Sequence, residues 1–303
     1  MKVRLGGRGS PLSLAQLEIV ARALSPRFDV EIVTFTTTGD RLSRGDGVRT
    51  GKDLFTREID EALRDRRIDL GVHSAKDLPS RLPEGLALAA VPPREDPSDV
   101  VVSRDGGNLL ALPAGSRVGT SSPRRRAQIL SARPDLEVVP ARGNVDTRIR
   151  RLREGRWDAI VLARAGLARL ERLDDVSEVL PPSWMLPAIG QGALAVVARN
   201  EDRDLRELVA GIDHPPSHRE VLAERAVLDV LEAGCRAPVA GLARTETTNL
   251  QLQAAVFSPD GSRTLREEAV GPAECPEDLG REVGERLLAR GAAELIAIVR
   301  AAT

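Results

Sequence analysis

An α/β protein of two similar strand–helix units, followed by a small α+β domain, is what this 303-residue sequence predicts. Three observations carry the prediction. Short apolar runs alternate with amphipathic stretches in residues 1–92 and again in 98–186. Strands alternating with helices imply parallel sheets flanked by helices. The stretch Val91-Pro92-Pro93-Arg94-Glu95-Asp96-Pro97 separates the two units. After Asp213-His214-Pro215-Pro216 the pattern changes to one helix and then alternating strands, which sets off residues 215–303 as a third domain.

Taken in order, residues 3–6 form a first strand, and Ser10 caps a helix that has Pro11 at its first position and runs to residue 24. Residues 30–36 make a second strand. Residues 38–51 are glycines, arginines and aspartates with few apolar residues, a long loop of the kind that serves function. Residues 55–66 are an amphipathic helix and 68–72 a buried strand, ending at His73-Ser74-Ala75-Lys76-Asp77. The second unit repeats the plan, with strands at 117–120, 137–140 and 159–163 and helices near Pro123, Asn144 and Leu167. Pro181-Pro182-Ser183 and Ile189-Gly190-Gln191-Gly192 mark a break where the chain crosses back, so that 193–210 return to the first unit. The third domain has a helix at 218–233, strands around 250–257 and 264–270 joined by a Ser258-Pro259-Asp260-Gly261 turn, and a closing helix at 276–290.

Composition excludes several classes. Apolar residues make up 42% and charged residues 29%, ordinary for a globular protein, and the net charge is −1. That balance predicts neither a nucleic-acid nor a membrane partner. With four Phe, two Trp and no Tyr, base stacking on aromatic side chains has little to work with. No apolar run reaches the ~18 residues of a membrane span, and there is no export-signal pattern. Two cysteines make no disulfide framework, so the expected compartment is the cytoplasm. Two distant cysteines and three histidines without ligand spacing predict no metal site.

Against that neutral background, residues 117–153 carry ten arginines and only three acids, Asp135, Glu137 and Asp146. Ser121-Ser122-Pro123-Arg124-Arg125-Arg126 follows one strand, and Arg142-Gly143-Asn144-Val145-Asp146-Thr147-Arg148 follows the next. A strand end that opens a helix offers backbone N–H groups and the helix dipole to an anion. Arginine adds a planar fork for carboxylates. Arg150, Arg151 and Arg153, on later turns, read as helix-surface charge. Arg124, Arg125, Arg142 and Arg148 crowd the junctions, and Arg8 beside Ser10 offers a third. Together they point to a ligand bearing several carboxylates, bound between two units whose strand ends face each other. Asp77, just past a buried strand and beside Lys76, sits where a carboxylate stabilises a cation or moves a proton. Cys235, in a loop beside Arg236, is either a small buried hydrophobe or a functional thiol. Cys275 lacks such a setting.

These segments resemble the porphobilinogen deaminase (hydroxymethylbilane synthase) family. The resemblance runs nearly end to end, through Arg8-Gly9-Ser10-Pro11-Leu12, the Lys52 loop, Val72-His73-Ser74-Ala75-Lys76-Asp77, and Gly119-Thr120-Ser121-Ser122-Pro123-Arg124-Arg125. It continues through Arg142-Gly143-Asn144-Val145, Ala165-Gly166-Leu167, Ile189-Gly190-Gln191-Gly192-Ala193 and Gly234-Cys235. Departures are Ala75 for a usual methionine, Pro123 for leucine, Arg57 for lysine, and Ala233 and Arg236 for glycine and glutamine. The resemblance implies two periplasmic-binding-protein-like α/β domains and a third that carries a dipyrromethane cofactor, covalently attached to Cys235. It implies a cytoplasmic monomeric transferase of porphyrin and haem biosynthesis. Such an enzyme deaminates porphobilinogen, joins the pyrroles head to tail on the dipyrromethane primer, and releases linear hydroxymethylbilane by hydrolysis. It further implies Asp77 as the catalytic carboxylate. Lys76, Ser74, Thr120, Ser121, Ser122, Arg124 and Arg125 would bind cofactor, and Arg8, Ser10, Arg142, Arg148, Arg169 and Gln191 would bind substrate. The 38–51 loop would be a lid. The competing expectation is a two-lobed binding module for polycarboxylate anions.

Overall fold

The computed structural model describes residues 2–39, 55–234 and 237–301, with 299–301 by backbone alone. The expected lid from residue 40 onward, Lys52, Cys235 and Arg236 therefore lie outside the described residues. Before the linker come β1 (Lys2–Arg8), α1 (Pro11–Leu24), β2 (Asp29–Phe35), α2 (Arg57–Arg64), β3 (Leu70–Ser74) and β4 (Leu86–Ala90). Beyond it lie β5 (Asp99–Ser103), β6 (Arg117–Gly119), α3 (Pro123–Ala132), β7 (Glu137–Val139), α4 (Val145–Arg153), β8 (Ala159–Ala163), α5 (Arg164–Arg169) and β9 (Glu178–Leu180). The remainder supplies β10 (Leu194–Arg199), α6 (Arg203–Val209), α7 (Pro215–Val230), β11 (Val239–Glu246), β12 (Asn249–Phe257), β13 (Thr264–Pro272), α8 (Pro276–Ala289) and α9 (Ala292–Ala301).

The chain divides into two compact units, Met1–Glu95 with Ala193–His218, and Asp96–Gly192 with Arg219–Thr303. The first holds a five-stranded sheet in the order β2-β1-β3-β10-β4, and the second a five-stranded sheet in the order β7-β6-β8-β5-β9. One topology is used twice. In each sheet the strand in second position lies between two parallel neighbours, and the strand in fourth position is antiparallel to both of its own. The sequence predicted parallel sheets, and both are mixed instead. The reversed strands, β5 and β10, each follow a linker rather than a crossover helix, so nothing turns them into the parallel sense. Their sequences, Asp-Val-Val-Val-Ser and Leu-Ala-Val-Val-Ala-Arg, are buried on both faces and carry no alternation to reveal them.

Local chemistry explains the elements that position the site. In α1 the Ser10 hydroxyl accepts from the Ser13 N–H, and Pro11 fills the first helical position where no hydrogen bond is lost. Leu17, Val20 and Leu24, three and four residues apart, are buried against the sheet with Val3, Leu5 and Leu70. Each contributes roughly 1.5–3 kcal/mol by leaving water. The second unit also holds the antiparallel sheet β11-β12-β13. The underside of this sheet packs with α7, α8 and α9 through Leu252, Val256, Val227, Val283 and Leu295. Its other contact is with α3: Ala127, Leu186, Ala240, Leu242, Ala255 and Phe257 form one cluster. Gly261, in the β12–β13 turn, has φ +74°, and a Cβ there would lie 2.1 Å from the Ala127 carbonyl oxygen. Only glycine lets that turn rest on the backbone of α3.

Candidate active site

In the first unit the ends of β1 and β3 are neighbours, because the two strands pair in parallel. Arg8 ends β1. Ser74 ends β3, and the 3-10 turn Ala75–Asp77 follows at once. These residues, with the N-cap Ser10, with Ser13 and Gln16 of α1 and with Phe55, line a cavity of about 70 Å³. The cavity thus collects Arg8, Ser10, Ser74, Lys76 and Asp77 at one sheet edge. The Arg8 guanidinium carbon lies 4.4 Å from the centre of the Phe55 ring, a cation–π contact that fixes its direction. Gln16, buried, donates from Nε2 to the Ser74 hydroxyl at 2.8 Å. The Ser10 hydroxyl is engaged as the helix cap. Gln16 and Phe55 were not singled out in the sequence. Gln16 reads there as one polar residue on a helix, and only the pairing of β1 with β3 brings it to Ser74.

His73 forms the cavity's inner wall. It is 5% exposed, with Nε2 3.9 Å from Asp60 Oδ1, a gap too long for a hydrogen bond. Burial first, and the Arg8 charge second, push its imidazole down to about 4. It stands neutral beneath the cationic rim. A larger cavity, about 310 Å³, opens at the other end of β1 between Lys2, Arg4, Asp69, Arg199 and Asp202. Its charges answer one another, Arg4 to Asp69 at 2.8 Å and Arg199 to Asp202 at 2.6 Å. The smaller cavity is the one that gathers residues singled out in the sequence, Arg8, Ser10, Ser74, Lys76 and Asp77.

The second unit treats its predicted residues in three ways. Thr120, Ser121 and Ser122 turn the chain from β6 into α3. Thr120 Oγ1 accepts from the Ser122 N–H at 3.2 Å, Ser121 donates to the Ala141 carbonyl at 2.9 Å, and Ser122 caps the helix by accepting from the Arg125 N–H. Arg142 is exposed, beside Gly143 at φ +108°. Arg148 donates from Nε to the Gly143 carbonyl at 2.8 Å, and Arg169 from Nη2 to the Gly192 carbonyl at 2.6 Å. Arg124 and Arg125 differ from expectation. The sequence puts both at an open helix start, yet they are 2% and 7% exposed and point inward to Asp99. They occupy the second and third helical positions, which face the sheet, so a buried carboxylate on the neighbouring strand captures them. Gln191 joins them there, donating to Asp99 Oδ1 at 2.8 Å. Among the described residues no group of His, Cys, Asp or Glu is placed to hold a metal ion, and no helix is long and apolar enough to cross a membrane.

A mixed five-stranded sheet used twice, with Arg8, Lys76 and Asp77 lining one cavity at the strand ends of the first unit, defines an α/β protein of two similarly built sheets. Comparison with known proteins makes the class particular. Residues 3–207 match the family described as "Porphobilinogen deaminase, dipyromethane cofactor binding domain", and residues 218–289 match "Porphobilinogen deaminase, C-terminal domain". Relatives named porphobilinogen deaminase include that of Desulforudis audaxviator, 49% identical over 99% of this chain and 98% of its own. Those of Moorella thermoacetica and Rubrobacter xylanophilus are 48% and 50% identical, each over 97% of their length and over 99% and 98% of this chain. The chain belongs to the porphobilinogen deaminase family. Among solved structures, a Salmonella typhimurium periplasmic binding protein with high arginine specificity is similar at a TM-score of 0.42 and 16% identity, covering 70% of this chain and 91% of that one.

Proposed function

We propose that this chain is a cytoplasmic, monomeric transferase that deaminates porphobilinogen and condenses it head to tail into hydroxymethylbilane, with a dipyrromethane held covalently at Cys235. The observation that carries the reading is the cavity that Arg8, Ser10, Ser74 and Lys76 line together with Asp77. The donor set fits the cofactor. Each pyrrole brings two carboxylates and one ring N–H, and the strand ends supply cations and hydroxyls for the first and a carboxylate for the second. When bound, the dipyrromethane supplies a nucleophilic pyrrole carbon and a fixed starting point for the chain.

The chain's own residues do the rest. Asp77 accepts hydrogen bonds from pyrrole N–H groups and stabilises positive charge that develops on the substrate as ammonia leaves. Lys76 and Ser74 take cofactor carboxylates, together with Thr120, Ser121, Ser122, Arg124 and Arg125. Arg8, Ser10, Arg142, Arg148, Arg169 and Gln191 take the carboxylates of incoming substrate. The stacking of Arg8 on Phe55 directs its fork before substrate arrives, which lowers the entropy lost on binding. The neutral His73 backs the site without adding charge. Loss of ammonia is a proton-dependent step, and Asp77 is the acid–base group within reach of it.

Intact mass of the purified protein tests this. An adduct of two pyrrole units, absent from Cys235→Ser and present in Cys275→Ser, is expected. A bare polypeptide that stays bare and inactive with porphobilinogen overturns the reading in favour of an anion-binding module.

A further inference from the structure

Asp99 opens β5 and is wholly buried. Cations flank both of its oxygens, and the hydrogen-bond donors converge on Oδ1. Arg124 Nη2 lies 2.7 Å from Oδ2. Arg125 reaches Oδ1 with Nη2 at 2.7 Å and Nε at 3.1 Å. Gln191 Nε2 lies 2.8 Å from the same oxygen. Backbone carbonyls hold the far corners of both guanidiniums: Arg124 Nη1 donates to Leu186 at 2.6 Å, and Arg125 Nη1 to Val161 at 2.9 Å. Gln191 is itself tied to the Pro97 carbonyl at 2.7 Å.

The cluster does not balance. Two cations share one anion, and Arg124 Nε is buried without an acceptor. Burial alone pushes the Asp99 carboxyl up, but Arg124 and Arg125 overcome it and hold it at about 2. Asp99 is therefore charged at any working pH, and one positive charge is left over. A cluster serving stability alone would be expected to close its charge and its donors, because an uncompensated buried charge is costly. A cluster waiting for an anion would hold a surplus.

A second tie joins this cluster to the third sheet. The N–H of Gly190 donates to Glu224 Oε2 at 2.6 Å, and the N–H of Ala243 in β11 donates to Oε1 at 2.8 Å. Glu224 is fully buried on α7, the helix that precedes Cys235 in the sequence. One side chain thus pins the turn that delivers Gln191 to Asp99.

We propose that Asp99 is the positioning residue for the cofactor carboxylates: a buried counter-charge that sets Arg124, Arg125 and Gln191 in place before the anion arrives and leaves one positive charge to meet it. The inference rests on the cofactor reading above. Asp99 touches neither cofactor nor substrate; it acts through the arginines.

The test is the loading of freshly purified protein, read by intact mass, together with thermal unfolding and KM. Asp99→Asn keeps the shape and an acceptor for Gln191 but removes the charge. We expect folded protein that is mostly bare, its adduct fraction at least tenfold below wild type, with a raised KM and a nearly unchanged kcat in the loaded fraction. Asp99→Asn that folds, loads and binds as wild type overturns the proposal and leaves the cluster a structural ion pair. Should Asp99→Asn not accumulate folded, Asp99→Glu decides, since it keeps the charge and moves it by one methylene. Reduced loading supports positioning, and wild-type loading and KM overturn it. Wild-type protein that never carries the adduct overturns the cofactor reading and this one with it. Wild type that loads no better than Asp99→Asn overturns this one alone.

Discussion

Asp77 stands at the turn after β3, half-buried, where its carboxylate faces the cavity and not the core. Its loss should therefore cost rate and not stability. Asp77→Asn keeps the volume and removes the charge. Steady-state turnover is expected to fall ~10²–10³-fold, about 3–4 kcal/mol of lost electrostatic stabilisation, with an unchanged melting temperature. Arg148 is different in kind. Its Nε holds the Gly143 carbonyl, so the side chain shapes a turn, and the proposed function has it meet a substrate carboxylate as well. Arg148→Leu should keep the adduct by mass and raise KM for porphobilinogen about tenfold or more, the loss expected for one charge-assisted contact.

At the scale of elements, the turn between β12 and β13 is the informative one. Its sequence, Ser258-Pro259-Asp260-Gly261, is a turn signal on any reading, and Asp260 accepts from the Ser258 and Ser262 hydroxyls as such turns do. Those bonds hold its carboxyl at about 2. The sequence does not say that the turn lies on α3. Gly261→Ala must both adopt φ +74° and displace a backbone carbonyl 2.1 Å away. Urea unfolding should show a loss of more than about 1 kcal/mol. Because α3 carries Arg124 and Arg125, the same variant should also purify with less adduct.

For the molecule as a whole, two buried groups of opposite kind contribute to acid stability. His73 is lowered from 6.5 to about 4 in the fold. The unfolded chain therefore takes up a proton that the fold refuses. Stability falls as pH drops from about 6.5 to about 4, by roughly 3 kcal/mol in total, and is flat above that window. Asp99 is lowered from 3.8 to about 2. Its contribution, about 2 kcal/mol, is present above 3.8 and is lost as pH falls towards 2. Melting temperature against pH should decline first over the His73 window and then over the carboxylate window, which Asp99 shares with Asp260. His73→Gln should remove the first step and leave the second, and a variant that retains the first would assign it to another group.

The sequence by itself determined the class of fold, the family, and the list of candidate groups. Period and punctuation are local properties: Ser10-Pro11 opens α1, the Pro-rich linkers interrupt the pattern, and Ser258–Gly261 turns a hairpin, wherever the chain goes next. The arginine excess and the Lys76-Asp77 turn are likewise local. Tertiary structure decided what those groups do to one another. It reversed β5 and β10, whose apolar runs, buried on both faces, carry no direction. It brought Gln16 to Ser74 and Phe55 to Arg8 through the pairing of β1 with β3. It also turned Arg124 and Arg125 from an open helix start to Asp99, a residue that in the sequence is only an acid ahead of three valines. Partners separated by 25 residues or more leave no spacing to read, because burial and charge balance are settled only when strands distant in sequence become neighbours.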